Sequence, residues 1–302
     1  MANNKVLPSW RSIHFVPVNV PKYVQRAATL DADALHLDLE DSISLSDKAA
    51  ARAVVREVAT TLHAAGYDII VRINRPLELA IRDIEAAVCE PVRYLSFTKV
   101  HSAAHVRLLE EVIETCEQRA GLVSGHTQLL LLIETAAAFF QMQEIALSSP
   151  RIVGMMLGGE DLSVDCGSAP IEDVLRGPKQ QMVMAARAAG ILPFGFIGSI
   201  ANFREEEQFR AMVQRSKLFG FEGGLSVHPL QIPILNEVFG VSQNEVRHAE
   251  RVLEADRLAM LAGRGSCELD GKMIDAPIVE RARRTLDRAN KHEAARLLRL
   301  RP

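Results

Sequence analysis

Short runs of apolar, often branched residues recur along most of the chain, and between them apolar positions fall back to a spacing of three and four. The runs lie at 13–17, 34–39, 69–74, 94–100, 129–134, 152–158, 193–198 and 223–228. Each has the length of a strand and sets apolar residues side by side, as a strand buried on both faces requires. The stretches 46–65, 102–119, 136–147, 179–189 and 204–218 read as helices, the first with Ser46 as N-cap and Gly66 as its stop. This alternation predicts parallel strands joined by crossover helices. Eight strands close an α/β (β/α)8 TIM barrel, and no glycine-rich phosphate fingerprint follows the first strand, so a doubly wound nucleotide-binding sheet is not expected. Farther on, 244–262 reads as a helix, GRGSCELDGKMIDAP as a polar segment ending at Pro277, and 278–300 as a closing helix. The expected organisation is a barrel domain over 1–240 and a C-terminal helical extension over 241–302.

Composition narrows the partners. The chain has 302 residues, 35 Lys and Arg against 38 Asp and Glu, and 5% aromatics. A net charge of −3 and a single Trp argue against a nucleic-acid binder. No apolar stretch approaches the ~20 residues of a membrane span. The start MANNKVLPSW lacks a basic region followed by an apolar core, so no secretory leader and a cytoplasmic setting are expected. Cys89, Cys116, Cys166 and Cys267 are scattered without metal-site or redox spacing and read as reduced thiols. Eight basic residues from Arg281 to Arg301 against Asp287 and Glu293 read as a solvated or subunit-contacting face.

The informative residues finish the strands, because a barrel carries its chemistry at the C-terminal strand ends. ALHLDLED ends in Asp38, Glu40 and Asp41, IIVRIN holds Arg72, and LSFTKV holds Lys99. LLLLIET runs into Glu134, and IVGMMLGGED ends in Gly159, Glu160 and Asp161. Five consecutive strands thus aim ionisable groups at one rim. Carboxylates at a glycine-loosened turn suit Mg²⁺, with Mn²⁺ as a substitute, which takes one or two of them and keeps open positions. Glu134 and Asp161 are the candidate ligands. Arg72 is the candidate clamp for a substrate carboxylate or enolate oxygen. Glu40 and Asp41 are candidate catalytic side chains, and Asp38, Lys99, Gly159 and Glu160 are candidate substrate contacts. His36, mid-strand in LHLDL, reads as a packed histidine.

These motifs occur in a larger pattern. The opening RSIHFVPVNVPKYVQRAATLDADALHLDLEDSISLSDKAAAR resembles that of the citrate lyase β-subunit/malyl-CoA lyase family. VRIN, TKV, LLIET, GGEDLSVD, SVHPLQI and DGKMIDAP follow in the family's order over about residues 11–285. The resemblance implies a TIM barrel, Mg²⁺ on Glu134 and Asp161, and Arg72 on the 2-oxo acid and enolate. It also implies that the C-terminal segment is a lid over a neighbouring subunit's site in a homo-oligomer, trimer or hexamer. Asp275, in the lid's MID triplet, would then exchange a proton with the acyl-CoA carbon. The implied activity is oxo-acid-lyase chemistry: Claisen-type cleavage or formation of a 3-hydroxyacyl-CoA such as malyl-CoA or citramalyl-CoA, giving an acyl-CoA and a 2-oxo acid. Lys22, Arg11 and Pro229 are the candidate CoA contacts.

Three positions depart from the family's pattern. Gly224 stands where a lysine is usual, FGFIGSI offers Gly198 and Ser199 where strand seven usually ends in an acid, and Val18 replaces a glycine in the first turn. They keep rival readings open: a citrate-lyase-subunit-like enzyme acting on a carrier-protein thioester or free 2-hydroxy acid, an acyl-CoA thioesterase, or a non-catalytic metabolite-binding paralogue.

Overall fold

The computed structural model describes residues 6–199 and 205–299. Contacts divide the chain into two compact units, Met1–Phe239 and Gly240–Pro302. In the first, β1 (Ser12–Pro17), α1 (Pro21–Ala27), β2 (Ala34–Asp38), α2 (Lys48–Ala64), β3 (Asp68–Ile73) and α3 (Leu77–Ala87) open the alternation. It continues with β4 (Val92–Phe97), α4 (Ala103–Arg119), β5 (Gln128–Ile133), two short helices α5 (Ala136–Phe139) and α6 (Met142–Ala146), and β6 (Ile152–Leu157). Then come α7 (Gly159–Cys166), α8 (Glu172–Ala188), β7 (Leu192–Pro193), α9 (Glu206–Leu218), β8 (Gly224–Ser226) and α10 (Gln231–Phe239).

All eight strands pair in parallel, in the order β7-β6-β5-β4-β3-β2-β1-β8. A bridge between Phe194 and Gly223, with Gly195 N–H on the Gly223 carbonyl (2.9 Å), joins β7 to β8 and completes the barrel. β2 and β6 are buried at every position, the consequence of having helices outside and packed side chains inside. The interior holds Ile13, Ala34, Ile70, Tyr94, Leu130, Val153, Met156 and Phe194. Trp10, just before β1, meets Tyr94 edge-on at 4.5 Å and donates to Asp68 at 2.7 Å.

Several element boundaries differ from the sequence expectation. Ser46 does not cap α2: it lies in a 3₁₀ turn (Leu45–Asp47), and Asp47 takes the cap position. The single helix expected over 136–147 is two pieces, the first capped by the Thr135 hydroxyl accepting from Ala138 N–H. α8 starts before 179 and runs through Pro178, because Leu175 buries its side chain beneath Gly159. The helix expected from 204 begins at Glu206, and Arg204 lies outside the described residues.

A buried ion pair ties α4 to the start of β6. Arg151 donates both Nη atoms to Glu117 (2.8 and 2.9 Å), whose oxygens also accept from the Thr127 and Gly125 amides. Burial alone would raise the Glu117 carboxyl, but Arg151 and the amides outweigh it and hold it below its usual range. Arg151→Met should therefore cost about 3–5 kcal/mol by leaving a buried carboxylate unpaired. A group held low in the folded state stabilises above its unfolded value and loses that contribution as pH falls through the folded one. Urea unfolding should show the wild type losing stability in the acid range and the variant losing less.

The second unit packs α11 (Gln243–Leu261) and α12 (Ala276–Arg299) with a hairpin of β9 (Cys267–Leu269) and β10 (Lys272–Ile274). The hairpin falls in the segment expected to be polar loop. Ala249, Val252, Ile274, Val279 and Ala282 form its core. Ser242 and Glu245 cap α11 reciprocally. Among the described residues no helix is long and apolar enough to cross a membrane.

Candidate active site

The strand ends place the predicted rim residues side by side. Asp38 ends β2, and its oxygens accept the Glu40 and Ser42 amides at 2.8 and 3.1 Å. Arg72, at the same register on β3, grips Asp38 with a two-pronged fork: Nε to Oδ1 at 2.7 Å and Nη2 to Oδ2 at 2.6 Å. Its Nη1 lies 3.0 Å from Glu40, and its guanidinium lies over the Phe15 ring, 4.9 Å from the centroid. Burial would raise the Asp38 carboxyl, but Arg72 holds it well below the usual carboxylate range. The segment after β2 is pinned from below, since Lys48 donates to the Leu39 and Glu40 carbonyls at 2.8 and 2.6 Å.

Lys99 follows β4 with φ of 48°, a left-handed conformation that a lysine adopts at a cost. It aims the Lys99 amide at Glu134 Oε2 (2.6 Å) and the ammonium at Glu40 Oε1 (2.6 Å), with Asp161 Oδ1 3.8 Å away. Burial would lower the Lys99 ammonium, but Glu40 and its acidic neighbours hold it above the usual range. Glu134 follows β5 and leans over Gly158, where a Cβ would stand 2.6 Å from Glu134 Cγ. Burial, aided by the charge of Asp161, pushes Glu134 up to about 7 against the opposing Lys99 amide. Asp161 stands more open in the first turn of α7, with Glu160.

Glu134 and Asp161 are thus two carboxylates that repel each other across the rim, with Glu134 lying in the room that Gly158 leaves. A divalent cation removes that repulsion. Among the described residues no group of three His, Cys, Asp or Glu side chains is arranged to hold a metal. Two carboxylates with open positions left for other oxygens is the donor set Mg²⁺ accepts.

A cavity of about 220 Å³ opens beside them, lined by Arg72, Glu160, Asp161, Lys179 and Ser199 on its polar side and by Phe15, Leu132, Met156, Phe196 and Leu225 on its apolar side. A second groove, about 820 Å³, is lined by His14, Lys22, Arg26 and His228 together with Tyr23, Val227 and Pro229, without a carboxylate in its lining. Phe15 borders both.

Not every candidate is here. Arg11 precedes β1, at the opposite end of the strands from the rim, and is bound to Asp33 through Nε and Nη2, each at 2.8 Å. It is not a rim residue, and this corrects its assignment as a CoA contact. Lys22 and Pro229 line the second groove. Asp275 belongs to the second unit, between β10 and α12, where its Oδ1 faces the Ile278 amide at 3.4 Å. His36 is packed as expected, stacked on Phe15 at 4.5 Å with both ring nitrogens unpaired, and burial pushes it down to about 3. Sequence reasoning missed Phe15, Phe196 and Lys179. Phe15 and Phe196 look like ordinary core residues, and Lys179 takes its place only because α8 starts early.

The geometry can be set beside known proteins. Residues 11–229 match the family model for HpcH/HpaI aldolase/citrate lyase. The chain belongs to that family. It is 33% identical over 283 residues to the citrate lyase subunit beta of Leuconostoc mesenteroides subsp. cremoris, covering 93% of each chain. It is 30% identical over 294 residues to an L-malyl-CoA/beta-methylmalyl-CoA lyase of Cereibacter sphaeroides, covering 89% of this chain and 91% of the other. Among solved structures it is similar to protein CitE from Mycobacterium tuberculosis in complex with magnesium, acetoacetate and coenzyme A. That similarity has a TM-score of 0.73 at 25% identity over 94% of this chain and 99% of that one. In this HpcH/HpaI member two of the three departures noted in the sequence fall together, and Val18 packs elsewhere in the core. Gly224 leaves the space that the Phe196 ring fills, with a Cβ there only 2.2 Å from Cζ, while Gly198 and Ser199 border the cavity.

Proposed function

We propose that this protein is a Mg²⁺-dependent carbon–carbon lyase that splits a 3-hydroxyacyl-CoA into an acyl-CoA and a 2-oxo acid, or joins them. The observation that carries the reading is the rim, where Glu134 and Asp161 stand next to an Arg72 fixed by Asp38 and Glu40. The family membership and the relatives' names support the reaction class. The carboxylate-free basic groove suits the phosphates of CoA, and its shared wall at Phe15 brings a thioester to the rim.

Glu134 and Asp161 would hold the magnesium, which when bound supplies Lewis-acid polarisation of the substrate's 2-oxygen. The remaining roles fall to side chains. Three of the five N–H donors of Arg72 are engaged by Asp38 and Glu40, which leaves two, in a fixed plane, for the thioester oxygen as it becomes an enolate. Glu40 and Asp41 keep Arg72 and Lys99 charged and in place. As the carbinol hydroxyl gives up its proton to solvent and becomes the 2-oxo group, the bond between the carbinol carbon and the thioester's α-carbon breaks, leaving its electron pair on the enolate. Asp275 then gives that carbon a proton, from a lid laid over the site of a neighbouring copy.

The test is product analysis on a panel of 3-hydroxyacyl-CoAs, with and without Mg²⁺. Acyl-CoA and 2-oxo acid should appear in equal amounts and only with the metal. Release of free CoA thiol without any 2-oxo acid would overturn the lyase reading in favour of thioester hydrolysis.

A further inference from the structure

Lys179 is a buried cation that this mechanism does not use. Its residue is 5% exposed, and its ammonium donates to the Gly198 carbonyl at 2.7 Å. Among the described residues that carbonyl is its only hydrogen-bond partner, so two of three N–H donors remain. A charge withdrawn from water and hydrogen-bonded only to a neutral acceptor, with the Glu160 carboxylate acting on it without a hydrogen bond, is costly to keep. Glu160, the nearby acid, turns its carboxylate to the Ser199 hydroxyl at 2.6 Å. The stretch after β7, where the family resemblance implies an acid, offers Gly198 and Ser199 instead. The space is kept open as well: a Cβ on Gly159 would stand 3.3 Å from Lys179 Nζ. Lys179 lines the same cavity as Arg72 and Asp161, reaching it from α8 while Arg72 reaches it from β3.

We propose that Lys179 is an anion-binding residue that reads the far end of the 2-oxo acid, selecting acids that carry a second carboxylate on their arm. The inference rests on the lyase reading above, which puts the acid's 2-oxygen at the metal and the thioester oxygen at Arg72. The substrate supplies the negative charge that this chain lacks at strand seven. Burial, which pushes the ammonium down to about 8, agrees with a charge awaiting its counter-ion.

Titration calorimetry of the full chain with Mg²⁺ tests this, using oxaloacetate, pyruvate and 4-methyl-2-oxopentanoate. The wild type should bind oxaloacetate at least about tenfold more tightly than pyruvate, a gap of about 1.4 kcal/mol. Lys179→Met should erase that ratio, leave pyruvate binding within about twofold, and melt without ligand at or above the wild-type temperature. Ser199→Asp, which offers a fixed carboxylate near the cavity, should shrink the same ratio. Tighter binding of 4-methyl-2-oxopentanoate than of oxaloacetate would overturn the proposal in favour of an apolar arm. So would a ratio unchanged in both variants. If pyruvate fails to bind with Mg²⁺ at all, the lyase reading of the rim falls and the inference with it.

Discussion

Arg72→Lys is expected to lower turnover by about 10²–10³-fold, the loss seen when one donor to a developing oxyanion is removed. The charge survives this change, but the geometry does not. A single ammonium cannot make the 2.7 and 2.6 Å bonds to both oxygens of Asp38 while also reaching Glu40 at 3.0 Å. It also lacks the flat face that lies over Phe15. The fixed plane that leaves two N–H donors pointing outward is lost. Because a cation remains beside buried Asp38, the stability cost should stay near that of a charged hydrogen bond, about 1.5–3 kcal/mol. Arg72→Met should cost more, about 3–5 kcal/mol, since Asp38 and Glu40 are then buried without a counter-charge. Steady-state kinetics beside thermal unfolding separate the two effects, and a fully active Arg72→Lys enzyme would refute the clamp. Mixing the Arg72→Lys chain with an Asp275→Ala chain should restore part of the activity if the lid serves a neighbouring copy. Two dead chains that stay dead together would show that each lid closes its own site.

Asp161→Asn should abolish Mg²⁺-dependent turnover, a loss of about 10³-fold or more if metal polarisation supplies several kcal/mol. Its effect on folding should be the opposite of the Arg72 series. Asp161 is half open, and in the absence of metal its charge works against its neighbour Glu134. Removing that charge should leave the melting temperature unchanged or slightly higher. The deciding measurement is the rise in melting temperature on adding Mg²⁺. At 100 times the dissociation constant a bound ion stabilises the fold by about 2.7 kcal/mol, and the variant should show no such rise. Activity that survives without metal, in either protein, would remove the basis for assigning Glu134 and Asp161 as ligands.

Much of this was legible in residue order. ALHLDLED, IIVRIN, LSFTKV and LLLLIET each announce a strand and place its charged end, because a strand buried on both faces has nowhere else to put a charge. What the pattern could not show is the pairing among those ends. Arg72 reads along the chain as free for substrate, yet three of its five donors are engaged by Asp38, 34 residues away, and Glu40. β7 is shorter than the apolar run over 193–198 predicts, for a related reason. Phe194, Phe196 and Ile197 are as buried as strand residues, but Gly195 at φ 122° turns the backbone out of the ladder after Pro193. α8 departs in the other direction, since packing of Leu175 carries it through Pro178, a residue that usually ends a helix. That early start is what sets Lys179 against the cavity.

The join between β7 and β8 has a bearing on how such a fold can change. Five neighbouring pairs, β1 through β6, are held by ladders of four or more residues, and β8–β1 and β6–β7 by shorter ones, whereas this join rests on the Phe194–Gly223 bridge and its adjoining amide bonds. The long ladders carry Asp38, Arg72 and Glu134, so the reacting groups are mounted on the stiff part of the cylinder. Gly198, Ser199, Phe196 and Gly224 gather at the short join, where the backbone has fewer partners to satisfy. Reaction and selectivity are thereby mounted on mechanically different parts of one barrel, so a lineage can retune which acid it accepts at the seam without disturbing the machinery that breaks the bond.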